Sequence, residues 1–263
     1  MKNHETPPDA VWIAAVQSRV IEWGCKHRND YPWRDPSVPF WQRLLAEVLL
    51  LRTRADQVVP VFRELVRRFP SPELMVTITD EEVGVLISAL GLRWRARLLA
   101  ELMRQLAARR GEVPESRGGL LDLPAVGDYI AAAMLSLHMG QRAVIVDSNT
   151  VRIISRLIGS EFDGETRRKR WLRDLAELLT PQSQEHQPFN YGLLDLAMVL
   201  CRPKRRCGLC PLHDLCPSAS PTPVGPRSAR MVTAGLEVDE RLVKDGLVER
   251  PAQKPGRPRT GSG

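Results

Sequence analysis

The chain has no long apolar run. None of its hydrophobic stretches approaches the ~20 residues that a helix needs to cross a bilayer, so a membrane-spanning helical protein is excluded. Met1 to Asp9 is polar and lacks the apolar centre of a secretory leader. The expected location is therefore inside the cell: cytoplasmic, and associated with the nucleoid if the source is prokaryotic. Alternating apolar and polar residues, the mark of half-buried strands, are also missing. Cysteine is scarce, with five in 263 residues. In a reducing interior a disulfide framework is not expected, and thiols are available as ligands.

What is present is helical periodicity and basic charge. Lys and Arg number 38 against 31 Asp and Glu, a net charge of +7, and hydrophobic residues make up 43%, enough for a real core. The surplus favours an anionic partner, weakly by itself. Helix spacing runs through Ala10–Trp23, Phe40–Thr53, Ala55–Phe69, Val83–Leu90, Arg95–Arg110, Asp128–Met139, Ser148–Ile158, Arg167–Leu179 and Asn190–Leu200. Thr79-Asp80-Glu81-Glu82 reads as a capped helix start. Pro70-Ser71-Pro72, Gly118-Gly119 and Pro181 read as breaks between helices. The fold class is all-α. Residues 1–216 form the folded domain. Residues 217–263 read as a mostly disordered basic tail, with one weak amphipathic helix over 231–250. In that tail, Lys254 to Arg259 has a Gly-Arg-Pro core like an AT-hook, although a solvating tail is the ordinary reading.

Four cysteines carry the clearest chemical signal. Cys201, Cys207, Cys210 and Cys216 are spaced C-x5-C-x2-C-x5-C. Four thiolates so close together need one centre to share, either a [4Fe–4S] cluster or a structural zinc. The loop between the first two holds Lys204, Arg205 and Arg206, suited to phosphate. Cys25 stands apart as an ordinary residue. Leu123-Pro124-Ala125-Val126-Gly127 joins two helices, with Pro ending one and Gly permitting a left-handed turn. Free amides at the next helix start would make an anion site there. Asp147 follows an apolar run and precedes a helix. It reads either as an N-cap or as a buried carboxylate beside a developing positive charge.

Taken together, these pieces resemble the helix-hairpin-helix DNA glycosylase superfamily, the group of endonuclease III and MutY. The resemblance runs from about Val11 to Cys216. It rests on Pro32-Trp33-Arg34, Glu47-Val48-Leu49-Leu50 with Arg52-Thr53, the hairpin, Val146-Asp147 with Asn149 and Arg152, and the four cysteines. It implies two helical subdomains, one in mid-chain and one joining the N-terminal helix to the C-terminal helices, with the target base entering between them. It also implies that the cysteines bind one [4Fe–4S] cluster. Two details differ from the usual pattern: five residues rather than six separate the first two cysteines, and Ala125 stands where the hairpin usually has Gly.

The resemblance assigns roles as well. Asp147 matches the catalytic aspartate. Tyr129 stands where strand-cleaving relatives carry a Schiff-base lysine, so a monofunctional glycosylase that leaves an abasic site is expected, provided no other lysine reaches the sugar. Glu47 matches a glutamate that acts on the target base. Glu47-Val48-Leu49-Leu50, Arg52-Thr53 and Tyr129 are closest to the mismatch thymine and uracil glycosylases, implying removal of thymine or uracil opposite guanine. Adenine glycosylases are the alternative, although they usually have two glutamines at the positions of Leu51 and Arg52. They also carry a further C-terminal domain, for which the residues after Cys216 are too few and too polar. A non-catalytic iron–sulfur DNA-binding protein is a second alternative, opposed by the presence of both Glu47 and Asp147. The expected partner is double-stranded DNA with a mismatched or damaged base, bound by a monomer. Arg52 would fill the void left by the base, and Trp94 would be a wedge if it is not a packed core aromatic. Arg93, Arg95, Asn149, the amides of Val126 and Gly127, and Lys204, Arg205 and Arg206 would meet the DNA. Trp33 and Trp41 are expected in the core.

Overall fold

A computed structural model describes residues 9–91 and 93–219. The described residues begin with α1 (Ala10–His27), whose first turn is capped by Asp9 accepting from the Trp12 amide at 2.7 Å. Next come α2 (Phe40–Leu50) and α3 (Ala55–Arg68). Helix α4 (Asp80–Leu86) starts at a capping box: Thr79 accepts from the Glu82 amide while Glu82 accepts from the Thr79 amide. Helices α5 (Ala96–Ala108), α6 (Arg117–Leu121) and α7 (Asp128–Ala133) follow. The last three are α8 (Ser148–Leu157), α9 (Arg170–Leu179) and α10 (His186–Val199). No β-strand occurs among the described residues, and none of their helices is long and apolar enough to cross a membrane. The expected helix over 231–250 and the Gly-Arg-Pro stretch lie outside the described residues.

The helices sort into two cores. Residues between Tyr31 and Ala143 build the first, around Leu44, Leu45, Phe62, Leu65, Met103 and Leu106. Trp33 and Trp41 are buried in it, as expected. The second unites α1 with α8, α9 and α10 through Val16, Val20, Ile154, Leu172, Leu175 and Phe189, and Cys201, Cys210 and Cys216 pack against it. A small third cluster, including Ala133, Leu137, Ile145 and Tyr191, lies where α7 meets α10. Helices α1 and α10 cross at Gly24 and Gly192. A Cβ on Gly192 would fall 2.5 Å from the Val20 carbonyl oxygen, so only glycine allows so close an approach.

One ion pair ties the segment before α2 to α10. Arg34 donates to Asp195 through both terminal nitrogens, at 2.7 and 2.9 Å, and the Asn29 side chain donates to the same carboxylate at 2.8 Å. Both charged side chains are buried. The guanidinium also lies over the Tyr191 ring, 4.6 Å from its centre.

Several local expectations are corrected. Gly118-Gly119 is not a break but lies inside α6, where Ser116 accepts from the Gly119 amide at 3.1 Å and Pro114 covers Gly119. Helix α10 begins four residues before Asn190, because Pro188 is tolerated in a first turn where its missing N–H has no role. The start of α9 is later than expected, since Thr166–Arg168 forms a 3-10 turn. The helix expected over Asp128–Met139 is α-helical only to Ala133 and widens to a π-turn over Met134–His138. At the hairpin, the left-handed residue is Ala125 (φ 62°), while Gly127 is extended (φ −113°, ψ −176°).

Two substitutions test these features. Arg34→Ala leaves Asp195 buried and unpaired, and should lower the unfolding free energy by about 3–5 kcal/mol in denaturant titration. Ala125→Gly should raise it by ~0.5–1 kcal/mol, because the Cβ clash of the left-handed conformation is relieved and only partly offset by glycine's extra chain entropy.

Candidate active site

Asp147 is both an N-cap and a half-buried acid. Its Oδ1 accepts from the amides of Asn149 at 2.9 Å and Thr150 at 2.8 Å, and its Oδ2 accepts from Asn149 Nδ2 at 2.7 Å. The Asp147 amide donates back to Thr150 Oγ1 at 2.8 Å. Burial pushes its pKa above the usual aspartate value, against the pull of these bonds, which favour the charged form. Asn149, expected among the DNA contacts, uses both ends of its side-chain amide inside the protein. It donates to Asp147 and accepts from Arg152 Nη2 at 3.0 Å. Arg152 in turn donates to the carbonyls of Cys201 at 2.6 Å and Ala197 at 3.0 Å. The cysteine segment is thus joined to the carboxylate by a chain of hydrogen bonds.

Two tyrosines and a second acid complete the group. Glu47, on α2, is buried at 3% exposure. Its Oε1 lies 2.8 Å from His138 Nε2, and its Oε2 has no protein partner. Tyr129, in the first turn of α7, feels both carboxylates. Burial, then Glu47, then Asp147 push its phenol well above the ordinary pKa. Tyr191 donates its hydroxyl to the Leu137 carbonyl at 3.0 Å, and burial followed by Glu47 raises its pKa to about 12. Glu47 and Asp147 therefore both lie near enough to Tyr129 to act on its phenol. His138 and Tyr191 were missed, since a lone histidine and a tyrosine on a helix carry no spacing signal.

The DNA-facing candidates divide. Trp94 is 64% exposed, so it is not a core residue, and Arg93 beside it is exposed too. Arg52 is exposed and holds a left-handed backbone (φ 60°) just past the end of α2. Arg95 differs from expectation. It is buried, donates to the Leu51 carbonyl at 3.1 Å and stacks on Trp94 at 4.4 Å. It braces the Arg52 turn and the tryptophan together rather than reaching outward. The Val126 amide also turns inward, to the Leu123 carbonyl at 3.2 Å, whereas the Gly127 amide makes no such bond among the described residues. Lys204, Arg205 and Arg206 are exposed, with Arg205 bonded to the Ser218 carbonyl.

Cys201, Cys207, Cys210 and Cys216 are all half-buried, and Cys25 is exposed. Burial raises the Cys210 thiol to about 11, and the other three cysteines push it the same way. Cys216 is raised for similar reasons. Thiols grouped closely enough to oppose the ionisation of Cys210 and Cys216 would give up their protons to a shared thiolate-bound group. Among the described residues no set of three or more His, Cys, Asp or Glu side chains converges tightly enough for a single metal ion. The donor set fits a thiolate-bound group in kind.

Comparison with known proteins places this arrangement. Residues 45–181 match the HhH-GPD superfamily of base excision DNA repair proteins. The chain is 38% identical to a thymine-DNA glycosylase of Aeropyrum pernix, over 78% of this chain and 94% of the relative. It is 33% identical to an adenine DNA glycosylase of Mycobacterium tuberculosis, over 76% of this chain and 66% of that protein. The structure of a thermostable thymine-DNA glycosylase superposes with a TM-score of 0.71 at 32% identity, covering 80% of this chain and 99% of the other. With its hairpin, its acidic centre and these relatives, the chain belongs to the helix-hairpin-helix DNA glycosylases, the HhH-GPD superfamily of base excision DNA repair.

Proposed function

We propose that this DNA glycosylase removes thymine or uracil opposite guanine by hydrolysis and leaves an abasic site uncut. The observation that carries the reading is the phenol of Tyr129 set close to both Glu47 and Asp147. A phenol cannot form an imine with the sugar, and the three described lysines, Lys26, Lys169 and Lys204, are exposed. The choice of pyrimidine is supported by the thymine-DNA glycosylase of Aeropyrum pernix, which this chain matches over 94% of its length, against 66% for the adenine relative.

In this mechanism the target nucleotide leaves the stack, at a cost of a few kcal/mol that is smallest at a mismatch. Trp94 enters the duplex and Arg52 fills the vacated space. Arg93, Lys204, Arg206 and the Gly127 amide hold phosphates. Breaking the N-glycosidic bond sends its electron pair to the base and leaves positive charge on the sugar. Ionised Asp147 stabilises that charge and takes a proton from the attacking water. Asn149 keeps the carboxylate turned toward the sugar. Glu47 meets the everted base through Oε2, the oxygen free of protein partners. Cys201, Cys207, Cys210 and Cys216 would hold a [4Fe–4S] cluster that shapes the basic loop between them.

A panel of duplexes with thymine, uracil or adenine opposite guanine or 8-oxoguanine tests the specificity. Thymine and uracil should be released opposite guanine, and release of adenine alone would overturn the assignment. Asp147→Asn should slow single-turnover release by at least ~10²-fold. Folding should be retained, because asparagine also caps helices well. Tyr129→Lys should form a borohydride-trappable adduct with substrate DNA that the unaltered protein does not form.

A further inference from the structure

The His138–Glu47 contact has a chemical polarity. His138 closes the π-turn that follows α7, and Nε2 is the ring atom that meets the carboxylate, 2.8 Å from Oε1. Both side chains are almost wholly buried, at 1% and 3% exposure. His138 Nδ1 has no partner, and neither has Glu47 Oε2. His138 is also among the residues that line a cavity of about 550 Å³, with Arg28, Arg34, Arg43 and Tyr191. Arg43 donates weakly to the His138 carbonyl, at 3.5 Å.

These facts constrain the ring's proton. A proton on Nδ1, in the cation or in the other neutral form, would be a buried N–H without an acceptor, costing about 1–3 kcal/mol. With the ring's proton on Nε2 and donated to Oε1, no ring N–H is left without an acceptor.

We propose that His138 is a positioning residue that decides which oxygen of Glu47 can carry a proton. With Oε1 held as an acceptor, any proton the carboxyl gains resides on Oε2, the atom offered to the base. Other charged or titratable groups around the pair are Tyr129 on α7, Tyr191 on α10, Arg43 on α2, Arg28 and Arg34 before it, and Asp147 beyond Tyr129. The proposal deepens the role given to Glu47 above and rests on it.

Nitrogen-15 NMR of the full-length protein, with its histidines labelled, reads the ring directly. His138 should show a protonated Nε2 and a bare Nδ1 at pH 7. Protonated Nδ1 at pH 7 would overturn the proposal. Single-turnover base release supplies the second arm. His138→Leu should slow release while leaving substrate binding intact. His138→Gln, whose amide reaches where Nε2 was, should restore it. Unchanged release by a folded leucine variant would sink the idea. If the protein releases no base from any duplex, the functional reading falls, while the ring spectrum still decides the matter of the proton. If the leucine variant does not fold, the ring spectrum of the unaltered protein decides alone.

Discussion

Arg34 and Asp195 hold opposite charges where water does not reach. Burying such a pair is justified only if each partner is fully satisfied, and here it is: two parallel hydrogen bonds, a third from Asn29, and a tyrosine face against the guanidinium. The pair sits between the two cores, joining the segment that leads into α2 to the middle of α10. Glu47 rides on α2, and Asp147 caps α8, which packs in the other core. The relative placement of the two acids therefore depends on this join. Tyr191 belongs to the same join, since its ring contacts Arg34 and its hydroxyl meets the π-turn that carries His138.

Asp147 shows how one side chain serves stability and chemistry at once. As an N-cap it satisfies two amides that would otherwise be orphaned at the start of α8. The same bonds, with the one from Asn149, favour its negative form against burial. The cap fixes the carboxylate in place without sharing a salt bridge with any described cation, so its charge is not already neutralised at close range.

Much of this was legible in the sequence because it is written in local periods and spacings. The apolar repeat of α1 to α5, the Thr79–Glu82 box and the position of Asp147 before α8 all follow from neighbours within a few residues. The grouping of Glu47, Tyr129 and Asp147 came from the order of motifs, not from any local rule. What escaped has long-range or backbone causes. His138 meets Glu47 from the end of the widened stretch Met134–His138, and nothing in Met-Leu-Ser-Leu-His announces a π-turn. Arg95 looks like its exposed neighbour Arg93, yet a carbonyl on a distant helix end draws it inward. At the hairpin the glycine invited the wrong assignment: Ala125 takes the left-handed conformation, although a glycine stands two residues away.

The crossing of α1 and α10 has a consequence for how the molecule is made. The first core is continuous in the chain, so it can close while the polypeptide is still emerging from the ribosome. Helix α1 is synthesised earliest, but Val16 and Val20 have no core to join until α8, α9 and α10 arrive. The Gly24–Gly192 contact is thus among the last to form, and the nascent N-terminal helix waits with an uncovered apolar face, the state in which chaperones and aggregation compete for a chain.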